Sequence, residues 1–539
     1  MLILSFAHDR RINKGEKSPR QKSVLVGRRE VSTLEAYLGF LQGTTQSFST
    51  LSSPMESMKP IHCLIYRPHK ARYSDILRLL CSRTPKDSRF VDHPTQAAPF
   101  VYDTKLTEFH GTFMVGLGLF IQKLLIAFRT PLRWFGLALE FLLNFFDQNG
   151  SFIGVLKNIF QGAVVIPHRE SSEFRTFIGF LDQRVDLYGG RNSHRLILDE
   201  MLTKVGVGHE HLVDLCMLAS KIAYENASFI EKVVTKHWDM HFIGLFNCWD
   251  EYRRTKCTQA YIFTEKPKNA KLIVVAFRGT EPFDVDDWCT DLDLSFASMG
   301  AIGRAHIGFL KALGLRDEYD LEKGWPKNDE RSDKNEHPYA YYTIREKLKE
   351  LLKDNPNAKF IITGHSLGGA LAVLFTTLLL MHEENELMSK LMGIFTFGQP
   401  RVGDGNLSSF MERNLNQLSK RYYRMVYRYD LVPRIPFDDP ISKFKHCGLC
   451  LYYRGWYKGD LIGDQPNKNY FDLNYFLPHY YNSWADLLQS RRLGEDYKES
   501  QTSTMCRMFG LLIPGIASHS PKDYVNSARL ATLADAKLY

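Results

Sequence analysis

An α/β fold with a mainly parallel sheet is the class that this 539-residue sequence predicts. Three observations carry the prediction. Short β-branched runs such as Lys271–Phe277 (K-L-I-V-V-A-F) alternate with helical patterns such as Tyr342–Lys353, the order that gives parallel strands covered by helices on both faces. Polar residues gather just past those runs, at the strand ends where open α/β sheets collect functional groups. Finally, Phe360–Phe375 reads F-I-I-T-G-H-S-L-G-G-A-L-A-V-L-F. It is a strand that breaks at Gly364, turns at a serine and continues as a helix, the G-x-S-x-G elbow of α/β hydrolases.

Composition sets the outer limits. With 44% hydrophobic and 24% charged residues, the bulk is ordinary globular protein. The net charge of +9 is uneven, since residues 1–54 hold eight basic and four acidic residues and so carry +4 of it. Nothing in that distribution calls for nucleic acid. Nine cysteines at irregular spacing imply no disulfide framework and favour a reducing compartment. Cys447-x-x-Cys450 lacks a second pair or a histidine pair at zinc spacing, so no metal site is expected, and no cofactor motif is present.

From the N-terminus, Leu2–Phe6 is too short for a secretory core. Residues 1–54 are expected to be a disordered basic extension upstream of Met55 or Met58, with a transit peptide as the alternative. A region over 55–166 follows, opening with the strand-like I-H-C-L-I-Y-R-P and the helix Tyr73–Cys81. Its core is the apolar segment 111–147. Lys123, Arg129, Arg133 and Glu140 would each be costly at a bilayer centre. Gln122, Arg129, Arg133, Glu140, Asn144 and Asp147 fall in one narrow stripe at ~100° per residue. The prediction is an interfacial helix, apolar face in lipid and polar stripe toward water, or a hairpin bent at Pro131 with arms of ~20–24 Å, too short to cross a ~30 Å core.

The hydrolase domain is expected over 167–539. Helix is predicted at Leu212–Ala223 and strand at Ala260–Thr264 and Lys271–Phe277. After Arg278-Gly279-Thr280, residues 281–294 place Val285, Trp288 and Leu292 on one helical face and Asp284, Asp287 and Asp291 on the other, as in a lid over an apolar pocket. His306 is read as structural. Beyond the elbow come a strand at Gly393–Phe397, a helix at Asn406–Leu418 and a strand at Tyr423–Tyr429.

Ser366 stands at a helix N-terminus, where free N–H groups favour a developing oxyanion. A serine nucleophile needs a base and an orienting carboxylate, in the order Ser, Asp or Glu, His. Asp404 and Asp430 both end downstream strands. Asp404 precedes a helix and suits an N-cap, so Asp430, in the proline-braced D-L-V-P-R-I-P, is preferred. Among His446, His479 and His519, the last is preferred. It lies in a loop at a helix start, with Ser520 as N-cap, Pro521 in the first turn and Asp523 closing a capping box.

Taken together, G-H-S-L-G, F-R-G-T, W-C-T-D-L, A-H-I-G-F, F-G-Q-P-R-V-G and D-L-V-P-R-I-P resemble the class 3 lipases in order and content over roughly 205–530. L-I-Y-R-P, D-I-L-R-L-L, R-F-V-D and H-S-P-K-D-Y-V-N are similar to the plant oil-body triacylglycerol lipases and extend the likeness to about residue 60. The resemblance implies Ser366 as nucleophile, Asp430 as acid and His519 as base, with Thr280 and the Leu367 backbone N–H as oxyanion donors. It implies an acylglycerol substrate and a site of action on the cytosolic face of a lipid droplet, with a plastid or other membrane as the alternative. A phospholipase or galactolipase A1 of the same fold, or a lipase-like scaffold without catalysis, are the competing readings.

Overall fold

The computed structural model describes residues 65–81, 90–92, 108–188, 209–418, 421–436, 443–466, 470, 476–489, 499–530 and 532–533. The extension expected over 1–54, and the first half of I-H-C-L-I-Y-R-P, lie outside them. The main sheet has nine strands: β1 (His241–Asp250), β2 (Thr255–Thr264), β3 (Leu272–Phe277), β4 (Lys359–His365), β5 (Leu391–Phe397), β6 (Arg421–Tyr427), β7 (Leu449–Tyr453), β8 (Lys458–Ile462) and β9 (Thr532–Leu533). They lie side by side in chain order, and β3 to β7 run parallel. β1 and β2 join antiparallel at one edge, and β8 pairs antiparallel with β7 at the other. This is the mainly parallel α/β-hydrolase sheet that the alternation predicts.

The unbroken apolar run of β3 has a simple cause. Ile273, Val275 and Phe277 enter the core on one face, while Leu272, Val274 and Ala276 enter the core on the other. A strand covered on both sides needs no polar alternation. The elbow helix Leu367–Met381 fills the first core with Leu371, Leu374, Phe375 and Leu378. Short antiparallel strands at 296–298, 304–306, 403–404 and 444–445 form a second, four-stranded sheet.

Ahead of the domain, after the short helix Tyr73–Cys81, stand three more helices, α1 (Glu108–Ala127), α2 (Arg129–Gln148) and α3 (Ser151–Gln161). Each of the first two spans 20 residues, about 30 Å, longer than the arms expected from sequence. The bend between them is 60°. It falls at Phe128, not at Pro131, because Pro131 sits in the first turn of α2, where its missing N–H has no intrahelical partner to lose. No single described helix is long and apolar enough to cross a membrane, although α1 and α2 pass that test as a bent pair.

The polar stripe largely serves the protein. Asn144 donates to the Arg175 carbonyl and accepts from the Arg175 N–H, both at 2.8 Å. Glu140 accepts from Arg169 at 2.6 Å and from the Phe177 N–H at 3.0 Å, and burial raises its carboxyl above the ordinary value. Gln122 is buried, and Arg129 pairs with Asp286. Arg129, Arg133 and Asp147 are the exposed members of the stripe. Trp134, Phe135, Phe141, Phe152, Ile153 and Phe160 point outward instead.

Candidate active site

The elbow between β4 and its helix holds Ser366 at φ 58°, ψ −132°, a conformation that a non-glycine residue keeps only when its surroundings enforce it. Glycines make the enforcement possible. A Cβ at Gly364 would lie 2.2 Å from the Gly368 backbone, and one at Gly368 would lie 2.3 Å from the Phe277 carbonyl oxygen. Strand, helix and the end of β3 therefore meet closely around the serine, which is buried to 3% exposure.

Ser366 Oγ lies 2.8 Å from His519 Nε2, and His519 Nδ1 lies 2.8 Å from Asp430 Oδ2. Asp430 is wholly buried. Its Oδ2 also accepts from the Tyr524 hydroxyl at 2.5 Å, and its Oδ1 accepts from the Val432 N–H at 2.9 Å. These bonds fix the carboxylate, which in turn fixes the imidazole. Gly398, at φ 58°, lets the backbone approach that ring, since a Cβ there would lie 2.8 Å from His519 Cε1.

On the other side of the serine, Leu367 opens the elbow helix, so its N–H has no intrahelical acceptor. Thr280 leaves β3 beside it. A Cβ at the neighbouring Gly279 would lie 2.5 Å from the His365 carbonyl oxygen, which brings the 277–279 segment against the elbow. Thr280 Oγ1 is 2.6 Å from Asp291 Oδ2. Asp291 is buried, its Oδ1 has no hydrogen-bond partner, and burial pushes its carboxyl up to about 8. His365 stacks on His519 at 4.5 Å between ring centroids. It reaches the Tyr224 hydroxyl at 2.9 Å and the His519 carbonyl at 3.1 Å, and burial, then the neighbouring imidazole, hold it well below its ordinary value.

The residues set aside in the sequence occupy other posts. Asp404 caps the helix Gly405–Gln417 and pairs with Arg304 at 3.0 Å. His446 donates to the Pro433 carbonyl at 2.7 Å, bracing the loop after Asp430. His479 lies between the rings of Tyr429 and Tyr470, each 4.9 Å away. His306 caps the helix Ile307–Leu313.

Two local readings fail. Asp523 closes no capping box: the Ser520 N–H bonds to the Ala517 carbonyl at 3.2 Å, and Asp523 Oδ1 accepts from Arg507 at 2.8 Å and Tyr457 at 3.0 Å. In the 281–294 segment the acidic residues do not all face water: Asp287 and Asp291 are buried, and Arg253 draws Asp284 and Asp287 toward the body. Phe283 is wedged under α2, 5.7 Å from Phe135 and 5.1 Å from Phe177 between ring centroids. The expected lid is thus clamped between α2 and the domain. The sequence pattern does not mark Tyr524 and Asp291 as site residues. Tyr524 lies in H-S-P-K-D-Y-V-N, in the first turn of the helix Pro521–Leu530 that follows His519, and that place is the signal that could have found it.

The family Lipase (class 3) matches residues 274–439, from β3 through the elbow to the loop after Asp430. The triacylglycerol lipase OBL1 of Nicotiana tabacum is 41% identical over 475 residues, which cover 78% of this chain and 83% of that protein. The chain belongs to the class 3 lipases. As such a lipase it is a carboxylic ester hydrolase. The triacylglycerol lipase OBL1 of Arabidopsis thaliana is 41% identical over 87% of this chain and 94% of its own length. Among solved structures, a Rhizomucor miehei lipase propeptide complex is 23% identical with a TM-score of 0.32, covering 46% of this chain and 70% of its own.

Proposed function

We propose that this lipase hydrolyses triacylglycerols at a lipid droplet surface through Ser366, His519 and Asp430. The observation that carries the reading is the continuous Ser366–His519–Asp430 hydrogen-bond chain at a strained elbow, in a chain about as long as relatives described as triacylglycerol lipases. His519, with its proton on Nδ1 toward Asp430, takes the Ser366 proton at Nε2 as Oγ attacks the ester carbonyl. The Leu367 N–H and Thr280 stabilise the oxyanion. His519 then protonates the departing diacylglycerol alkoxide. A water deprotonated by the same Nε2 releases the fatty acid and restores Ser366.

The outward face of α1 to α3 supports attachment to lipid. Phe160 and Ile153 are 90% and 77% exposed, and side chains of this kind stay in water only at a cost that burial in an oil phase removes. The polar stripe on the opposite side holds the helices to the domain, so binding requires no unfolding. Deleting 111–146 would also uncover Phe283 and Asp286. Point substitutions of the outward residues are therefore the cleaner test of attachment.

For substrate, fatty acid release is compared on triolein emulsion, phosphatidylcholine and monogalactosyl diacylglycerol. The highest rate is expected on triolein. A rate at least as high on either polar lipid would reassign the substrate within the same fold.

A further inference from the structure

The stretch between Asp430 and His519 contains two helices whose amphipathicity is inverted. In Phe476–Gln489, Leu477, Tyr481, Trp484 and Leu488 recur at i, i+4, i+7 and i+11, one helical face, and all four are exposed. The polar residues of that helix turn inward. Asp486 pairs with Arg428 and accepts from the Tyr427 hydroxyl, while His479 and Ser483 are buried. In the helix Gln501–Gly510, Met505, Met508 and Phe509 lie at i, i+3 and i+4 and are exposed, and Leu512, Ile513 and Ile516 are exposed in the turns after it. Arg507 faces inward to Glu499 and Asp523. Over 477–488 and 501–516 the only charged residues are Asp486 and Arg507, and both are buried, so this face shows no charge to solvent.

We infer that the outward face of these two helices is a second lipid-contact surface, which grips the substrate phase next to the mouth of the active site. The inference rests on the lipase reading of the site, and three features choose the occupant. Among the described residues of the two segments the face offers no charge to a protein or nucleic-acid partner, which would be met by polar or charged groups, whereas hydrocarbon asks for none. The face also runs straight into the site: Ile516 is exposed and its carbonyl accepts from the His519 N–H at 3.0 Å. A protein seated there would crowd the approach to Ser366, while an oil surface is the substrate itself. Finally, the segment that carries this face and the one that carries the first rest on a shared support. The helix Phe177–Leu181 takes a hydrogen bond from Ser500 Oγ to the Phe180 carbonyl at 3.0 Å, and gives one from the Phe177 N–H to Glu140 of α2. The enzyme would then stand on lipid by two footholds, one ahead of the domain and one beside its histidine.

The test uses the full chain. Leu477→Ser/Trp484→Ser and Phe509→Ser/Leu512→Ser are compared with wild type for flotation on triolein droplets coated with phosphatidylcholine. Hydrolysis of soluble p-nitrophenyl butyrate reports an intact site, and light scattering reports oligomeric state. The expected result is droplet binding weaker by roughly tenfold or more in each variant, with butyrate turnover unchanged and binding restored by Phe509→Trp in place of Phe509→Ser. Unchanged flotation overturns the inference. So does a wild-type dimer that the substitutions split while flotation holds, because the face would then join two copies of the chain. Lack of butyrate hydrolysis by wild type would instead strike the lipase reading, and flotation would still measure the surface.

Discussion

Asp291 is predicted to control the alkaline limb of activity through Thr280. The two side chains are 2.6 Å apart, so one proton lies between them and its ownership decides what Thr280 can offer. Burial pushes the Asp291 carboxyl up to about 8. Below that pH the neutral acid donates to Thr280 Oγ1 and leaves the hydroxyl hydrogen free for the oxyanion. Above it the carboxylate accepts that hydrogen, and the oxyanion loses a donor. Activity should therefore hold below about pH 8 and fall as pH rises through it. The full loss of one oxyanion donor is worth about 10²–10³ in kcat, or about 2.7–4 kcal/mol, which bounds the effect. Asp291→Asn keeps a donor that does not titrate, so its kcat for p-nitrophenyl butyrate should stay level where wild type declines. Asp291→Ala should lose up to that factor already at neutral pH. Wild-type kcat in Asp291→Ala, or the same alkaline fall in wild type and Asp291→Asn, would refute the reasoning.

Tyr524→Phe removes a 2.5 Å hydrogen bond to the Asp430 carboxylate; bonds to charged groups are worth about 1.5–3 kcal/mol, so kcat should drop by roughly tenfold with KM little changed, measured on soluble ester. Gly136→Leu forces a Cβ to within 2.6 Å of Phe283 and should cost about 1–3 kcal/mol of stability, seen as a lower melting temperature, with Gly136→Ala/Phe283→Ala recovering part of it. Trp134→Ser/Phe141→Ser, on the outward face of α2, should weaken droplet flotation while leaving soluble ester turnover intact.

The doubly covered strands were legible in the sequence because parallel pairing between two cores leaves a continuous apolar word, as in Leu272–Phe277. β1 was not, since it is an edge strand with two register irregularities against β2, and its alternation is blurred by half-exposed positions. Ser366 was legible because an elbow needs small residues at fixed spacing. The orientation of a charged face was not, because a helical wheel carries no record of what lies opposite. Asp284 and Asp287 looked outward until Arg253, some thirty residues earlier, proved to stand against them. For the same reason the stripe through Glu140 and Asn144 was assigned to water when Arg169 and Arg175 of the protein meet it. The apolar spacing of Leu477, Tyr481, Trp484 and Leu488 likewise carries no sign that the polar face of their helix is the buried one.

The central claim is that Ser366 is the acyl-enzyme nucleophile of a triacylglycerol lipase. It is tested most directly by mapping a serine-reactive fluorophosphonate on the full chain while following oleate release from triolein emulsion, in wild type and Ser366→Ala. The account predicts label on Ser366 and oleate release in wild type, with both lost in a Ser366→Ala protein that still melts cooperatively and still floats on droplets. Oleate release at the wild-type rate by Ser366→Ala, or label on a different residue, would contradict it.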